Sequence, residues 1–204
     1  MKKALILAMY FVFLFVGCTW VGTVKNVNKF DQNNIIDTQA SFYLLVPKDG
    51  HEIAYFTYKR TENKGSGREV VNTFFEKFHK EFGSLVISEE NMSVSQGLGE
   101  AKARGDKYMI AFDIDEWNDE FYMTCKPYTN GGQMDVPKTD SLDVTINVYD
   151  VATGELINKQ RFQNAGCPTI LLGFIPIGAT TPSGRFNSSL SDWVKNVQNT
   201  VTSK

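Results

Sequence analysis

The stretch SGREVVNTFFEKFHKEFG, residues 66–83, decides the fold. Val70, Phe74, Phe78 and Phe82 recur every four residues, and Val71 and Phe75 widen the stripe. That is the period of an amphipathic helix whose apolar face is broad enough to lie against a sheet. Ser66 is placed to cap the helix, with Glu69 three residues on to complete a capping box, and Gly83 to accept the positive backbone angle that ends it. A pure β-sandwich has no natural place for such a stripe.

Upstream of the helix, residues 41–46 form a short apolar and aromatic run closed by Pro47-Lys48-Asp49-Gly50, which reads as a core strand and a turn. Residues 52–58 read as a second strand or a loosely held segment, and residues 63–67 punctuate the chain before the helix. Downstream, residues 85–88 read as a strand. A weaker helix over 95–104 carries Leu98 and Ala101 and stops at Gly105, with Gly97 and Gly99 lowering its stability.

Tyr108, Ile110, Phe112 and Ile114 alternate with Met109, Ala111, Asp113 and Asp115, the period of a strand with one buried face. Asn118 and Asp119 suit a turn into a further strand carrying Phe121, Met123 and Cys125. Val144, Ile146 and Val148, a turn over 150–154 and a return over 156–162 predict a hairpin. Leu190, Trp193, Val194, Val197 and Val201 give a closing helix one face to bury. No internal repeat interrupts this order. The elements predict an α+β domain, a mixed, mostly antiparallel sheet packed by two or three helices.

The chain has 204 residues, 42% hydrophobic, 22% charged and 13% aromatic, with 21 basic and 23 acidic residues. This composition fits one globular domain and excludes disordered and collagen-like architectures. Its balanced charge argues against a nucleic-acid partner, because binding to phosphate backbones needs concentrated Lys and Arg.

Residues 1–17 read as an export signal: Lys2 and Lys3, an uncharged run over 4–16, then small Gly17 directly before Cys18. The run is shorter than the ~20 residues of a comfortable membrane-spanning helix. Gly17-Cys18 suits the lipoprotein form of the signal, in which the Cys18 sulfur is acylated and the peptide is cut ahead of it. Phe15 stands where that pattern usually has Leu. Thr19, in place of a retaining Asp, resembles an outer-membrane address. Residues 18–39 then form a lipidated N-terminus and polar tether, and residues 40–204 a single α/β globular domain.

Four constellations bear on chemistry. Gly65-Ser66-Gly67-Arg68 is a weak candidate anion contact at a helix start, weighed against a plain helix start with a solvated Arg68. Asp113, Asp115 and Glu120 are a candidate acidic cleft around Trp117, and Trp117 and Asp119 a candidate interaction surface. The alternation puts Asp113, Asp115 and Trp117 on one strand face; the plain alternative is a charged sheet edge with Trp117 as a packing or rim residue. The order of these acids does not match a calcium loop, and neither His51 nor His79 lies at a recognised metal spacing. No metal or cofactor is implied, and no catalytic residue is identified.

Cys125 and Cys167 are an even pair left for an oxidising compartment, open to a disulfide worth about 4 kcal/mol on the chain-entropy estimate, or to two buried thiols. Finally, Ile170, Leu171, Phe174 and Ile175 lie in an apolar segment broken by Pro and Gly. It reads as a core-crossing loop or, if exposed, as a docking surface.

Cys18, Pro47-Lys48-Asp49-Gly50, Gly65-Ser66-Gly67, Ala103-Arg104-Gly105-Asp106-Lys107-Tyr108, Ile114-Asp115-Glu116-Trp117 and Asp150-Val151-Ala152-Thr153-Gly154 occur in an order that resembles a family of roughly 200-residue bacterial envelope lipoproteins. That family has Glu-Asp-Arg after the Trp, where this chain has Asn118-Asp119-Glu120, so the Arg is missing. The resemblance implies a mixed sheet with flanking helices and a binding role; it brings no catalytic residues.

The sequence therefore reads as a lipid-anchored envelope protein on the outer membrane, facing the periplasm. Its acylated Cys18 would hold membrane lipid, and its domain would act as an interaction or accessory module toward an envelope protein or peptidoglycan. The alternatives are a small-ligand-binding protein or hydrolase using the acidic cleft, and a structural envelope-maintenance protein.

Overall fold

A computed structural model describes residues 25–26, 36–54, 59–118, 141–164, 169–171, 175–177 and 181–202. Outside these lie Cys18 and the export signal, most of the tether, Cys125 and Cys167, Asp119 and Glu120, the strand expected over 121–125, and Phe174.

The chain order is β1 (Lys25–Asn26), β2 (Ser41–Val46), β3 (His51–Ala54), β4 (Lys59–Glu62), α1 (Ser66–Phe78), β5 (Ser84–Asn91), α2 (Val94–Arg104), β6 (Tyr108–Trp117), β7 (Leu142–Asp150), β8 (Leu156–Asn164), β9 (Thr169–Leu171), β10 (Ile175–Ile177) and α3 (Pro182–Thr202). The main sheet runs β1-β8-β7-β6-β2-β5, with β3 joining β6 and β4 joining β3. β2 pairs parallel with both β5 and β6, and β3 meets β6 in parallel at one point, while β6-β7-β8-β1 and β3-β4 are antiparallel. The domain is α+β, a mixed sheet packed by three helices.

β2 explains why its five residues 42–46 are all buried. Flanked by parallel neighbours, it is covered on both faces, so it reads as a continuous apolar run. Phe42 and Leu44 face the larger core beside Val70, Val71, Phe74 and Phe78 of α1. Tyr43 and Leu45 face a smaller core with Ala101 of α2, Met109 and Ala111. α3 lies on the α1 side and adds Phe186, Leu190, Trp193, Val194 and Val197. Phe74 is the hub of that side: its ring lies 5.2 Å from Phe78, 5.4 Å from Phe112, 5.9 Å from Phe82 and 6.1 Å from Trp193.

The hairpin of β7 and β8 follows the expected alternation, with Val144, Ile146 and Val148 buried. Two local expectations are corrected. α1 stops at Phe78, and Gly83 serves close packing instead of a positive backbone angle: a Cβ there would lie 2.1 Å from the Gln39 carbonyl oxygen. Of the segment 52–58, residues 52–54 belong to β3, and residues 55–58 lie outside the described residues. The apolar segment read as a loop contains the β9-β10 hairpin, in which Leu171 pairs with Ile175 and Ile170 with Pro176.

Candidate functional site

The start of α1 is already occupied by the protein itself. Asp49, in the turn after β2, accepts hydrogen bonds from the Gly65 amide (2.9 Å) and the Gly67 amide (2.8 Å). The backbone groups that would hold an external anion thus hold an internal carboxylate, which suits the positive end of the helix. Ser66 is the first helical residue and not the cap; its hydroxyl, 1% exposed, accepts from the Gly50 amide at 2.8 Å. Arg68 donates to the carbonyls of Ser88 (3.3 Å) and Glu89 (2.5 Å). The anion contact expected at Gly65, Ser66, Gly67 and Arg68 is therefore corrected to an intramolecular clasp.

Glu69 has also left its expected capping role. It accepts from the indole N–H of Trp117 at 3.0 Å. Trp117 is fully buried, and its ring packs edge-on against Phe186 at 5.8 Å. This corrects the placement of Trp117 on an exposed interaction surface, and the cause is a bulge. Ile114 pairs with Val144 but Glu116 pairs with Asp143, so Asp115 is the extra residue in β6. One inserted residue inverts the alternation beyond it and turns Trp117 into the core, away from the face of Asp113.

The acids around that bulge are held singly. Asp113 accepts from Asn147 Nδ2 at 2.8 Å. Exposed Asp115 pairs with Arg60 of β4, and its carbonyl oxygen lies 3.3 Å from His51 Nδ1. Glu116 accepts from the Ser141 hydroxyl. Of the proposed acidic cleft, Asp113 and Asp115 are thus separate surface contacts, and Glu120 lies outside the described residues. Among the described residues no group of three or more His, Cys, Asp or Glu is placed to hold a metal ion.

Sequence reasoning missed the best-built polar group on this side of the sheet. Asp143, 8% exposed, accepts from Arg161 Nε (2.8 Å) and Nη2 (2.5 Å) and from Gln163 Nε2 (2.7 Å). The bidentate pair holds the Arg161 guanidinium in its charged form and raises its pKa further. The only signal available in the sequence was an Asp facing a Gln across the hairpin, and it becomes visible once the register Asp143 to Gln163 is known.

A second missed pair joins the sheet to α2. The Tyr43 hydroxyl donates to Glu100 Oε2 at 2.5 Å, and burial, then this carboxylate, push the phenol pKa up to about 12. The folded-state value lies above the ordinary 10, so the stability this group contributes is present below pH 10 and is lost as pH rises through about 12. Urea unfolding at pH 9 and pH 11 should show the wild type losing more stability over that interval than Tyr43→Phe. Equal losses would contradict the assignment.

The fold is similar to that of PelC. The chain is 13% identical to a subunit of the PelC dodecamer from Paraburkholderia phytofirmans, covering 87% of this chain and 97% of that one with a TM-score of 0.55. A substituted form of the same dodecamer matches at 12% identity, 82% and 92% coverage and a TM-score of 0.50. The lipoprotein GNA1162 from Neisseria meningitidis matches at 9% identity, 78% and 99% coverage and a TM-score of 0.43, a likeness too slight to build on. No protein-family model matches the sequence, and no curated protein matches it. At these identities the likeness to PelC shows the fold alone.

Proposed function

We propose that this chain is a lipid-anchored accessory domain of the bacterial envelope that works by contact with other envelope components. The pattern of residues 1–18 supplies the address: residues 1–17 direct export, and acylated Cys18 holds the domain to the outer membrane, facing the periplasm. Each buried methylene of an acyl chain adds ~0.8 kcal/mol, so two or more chains suffice to hold the domain to a membrane. What carries the interaction reading is the fate of the candidate reactive groups. The α1 amides are filled by Asp49, Asp113 is held by Asn147 and Asp115 by Arg60, so these polar groups build the domain and are not left aimed at a substrate. The partner is an envelope protein or peptidoglycan. Association between copies is one form the contact can take, as the PelC dodecamer does with this fold.

Cell fractionation tests the address. The wild-type chain should sediment with membranes and resist salt extraction, whereas Cys18→Ser should appear in the soluble fraction. A cytosolic wild-type chain that retains Met1, or a Cys18 without acyl mass, would remove the reading.

A further inference from the structure

The sheet ends at β5, whose only strand partner among the described residues is β2. Its pairing with β2 is regular over Ser84–Ile87 and breaks before Asn91, so the free edge is that first half, which carries neither Pro nor a charged residue. Leu85, Val86 and Ile87 are half-buried, and alternate backbone groups along an edge strand face away from the sheet. Its far end is covered, where Arg68 holds the carbonyls of Ser88 and Glu89.

Beside this edge, on the α2 face of the sheet, lies an open depression of about 500 Å3 lined by Glu90, Met92, Gln96, Gly99, Glu100 and Ala103. Its glycine is unexplained by the fold. Gly97, two positions earlier in α2, is close-packed: a Cβ there would come within 3.0 Å of Leu45 Cδ1 and Met109 Sδ. A Cβ on Gly99 would meet nothing within 4 Å, yet a helix-interior glycine costs roughly 1 kcal/mol relative to alanine. Gly99 is exposed on the surface of α2 and forms part of the floor of this depression.

We propose that β5 and this groove bind an extended peptide segment of a partner, added as a further strand, in which basic residues alternate with apolar ones. An added strand would lie about 4.8 Å beyond β5. Its side chains on one face pass over Gly99 and Ala103 between the carboxylates of Glu90 and of Glu100, which keeps its negative charge while accepting from the Tyr43 hydroxyl, and this calls for Lys or Arg. Those on the other face continue the surface of Leu85 and Ile87, which pack on the larger core, and so are apolar. Arg104, next to Ala103, is engaged by Asp106 at 3.0 Å and lies over the Tyr43 ring.

This names the partner class for the interaction domain proposed above, and it is tested separately from the anchor. The purified full-length chain in detergent is titrated with a labelled, end-capped eight-residue peptide of alternating lysine and valine, and with its glutamate-valine counterpart. Saturable binding is expected for the lysine peptide alone, weaker by tenfold or more in both Gly99→Leu and Glu90→Lys, and unchanged in Glu155→Lys on the β7-β8 turn. Gly99→Ala should melt no lower than the wild type, which shows that the position tolerates a side chain. Equal binding of both peptides, no binding, or undiminished binding in both groove variants would overturn the proposal. So would a dimer that dissociates in Gly99→Leu without peptide, because a second copy would then hold the edge. A failed titration alongside Cys18-dependent fractionation removes the groove and leaves the anchored interaction domain standing.

Discussion

Phe74→Ala is expected to lower the stability of the domain by about 3–5 kcal/mol, the range for emptying a fully buried phenylalanine site. Phe74 is fully buried where α1, α3 and the sheet meet, and it contacts rings from each: Phe78, Trp193 and Phe112. The cavity left behind cannot collapse easily, because its walls are rings fixed from three elements. The neighbouring Phe75→Ala is the control. Phe75 is only half-buried and stacks on exposed His79 at 5.5 Å, so its loss should cost well under half as much. Urea unfolding followed by circular dichroism reads the difference as a shift in midpoint at unchanged slope. Similar losses at the two positions would mean that Phe74 is not the hub.

The second large effect concerns Asp49. Asp49→Ala leaves the Gly65 and Gly67 amides without their acceptor at the start of α1, and a loss of about 2 kcal/mol is expected for a charged cap with two short bonds. Asp49→Asn, which keeps one oxygen but loses the charge, should fall between. There is a further consequence for the anion contact read from Gly65-Ser66-Gly67. With the carboxylate gone, sulfate should stabilise Asp49→Ala more than it stabilises the wild type, because the freed amides and the helix dipole attract an anion. If Asp49→Ala unfolds at the wild-type midpoint, the clasp is not a stabilising contact.

The secondary structure was largely legible. The four-residue spacing of Val70, Phe74, Phe78 and Phe82 and the two-residue spacing of Val144, Ile146 and Val148 report which face of each element meets the core, and both were read correctly. α2 was found in spite of its glycines, and the structure adds a capping box of Ser93 and Gln96 at its start. The candidate site fared differently. Alternation carried Trp117 to the same face as Asp113, because a strict period cannot announce an inserted residue such as Asp115. The capping pattern Ser66 to Glu69 was present in the sequence, but both side chains found partners elsewhere, Ser66 at Gly50 and Glu69 at Trp117.

By itself, then, the amino-acid order determined the apolar faces of the helices and strands and the class of fold, because burial of a stripe is a local, periodic demand on the chain. Tertiary structure decided what the polar groups do. Asp49 reaches Gly67 across 18 positions, and Glu69 reaches Trp117 across 48. Such contacts depend on strand register, on one bulge and on which strand is left at the edge of the sheet. They join residues whose separation along the chain carries no period, so they exist only once the core has brought the elements together.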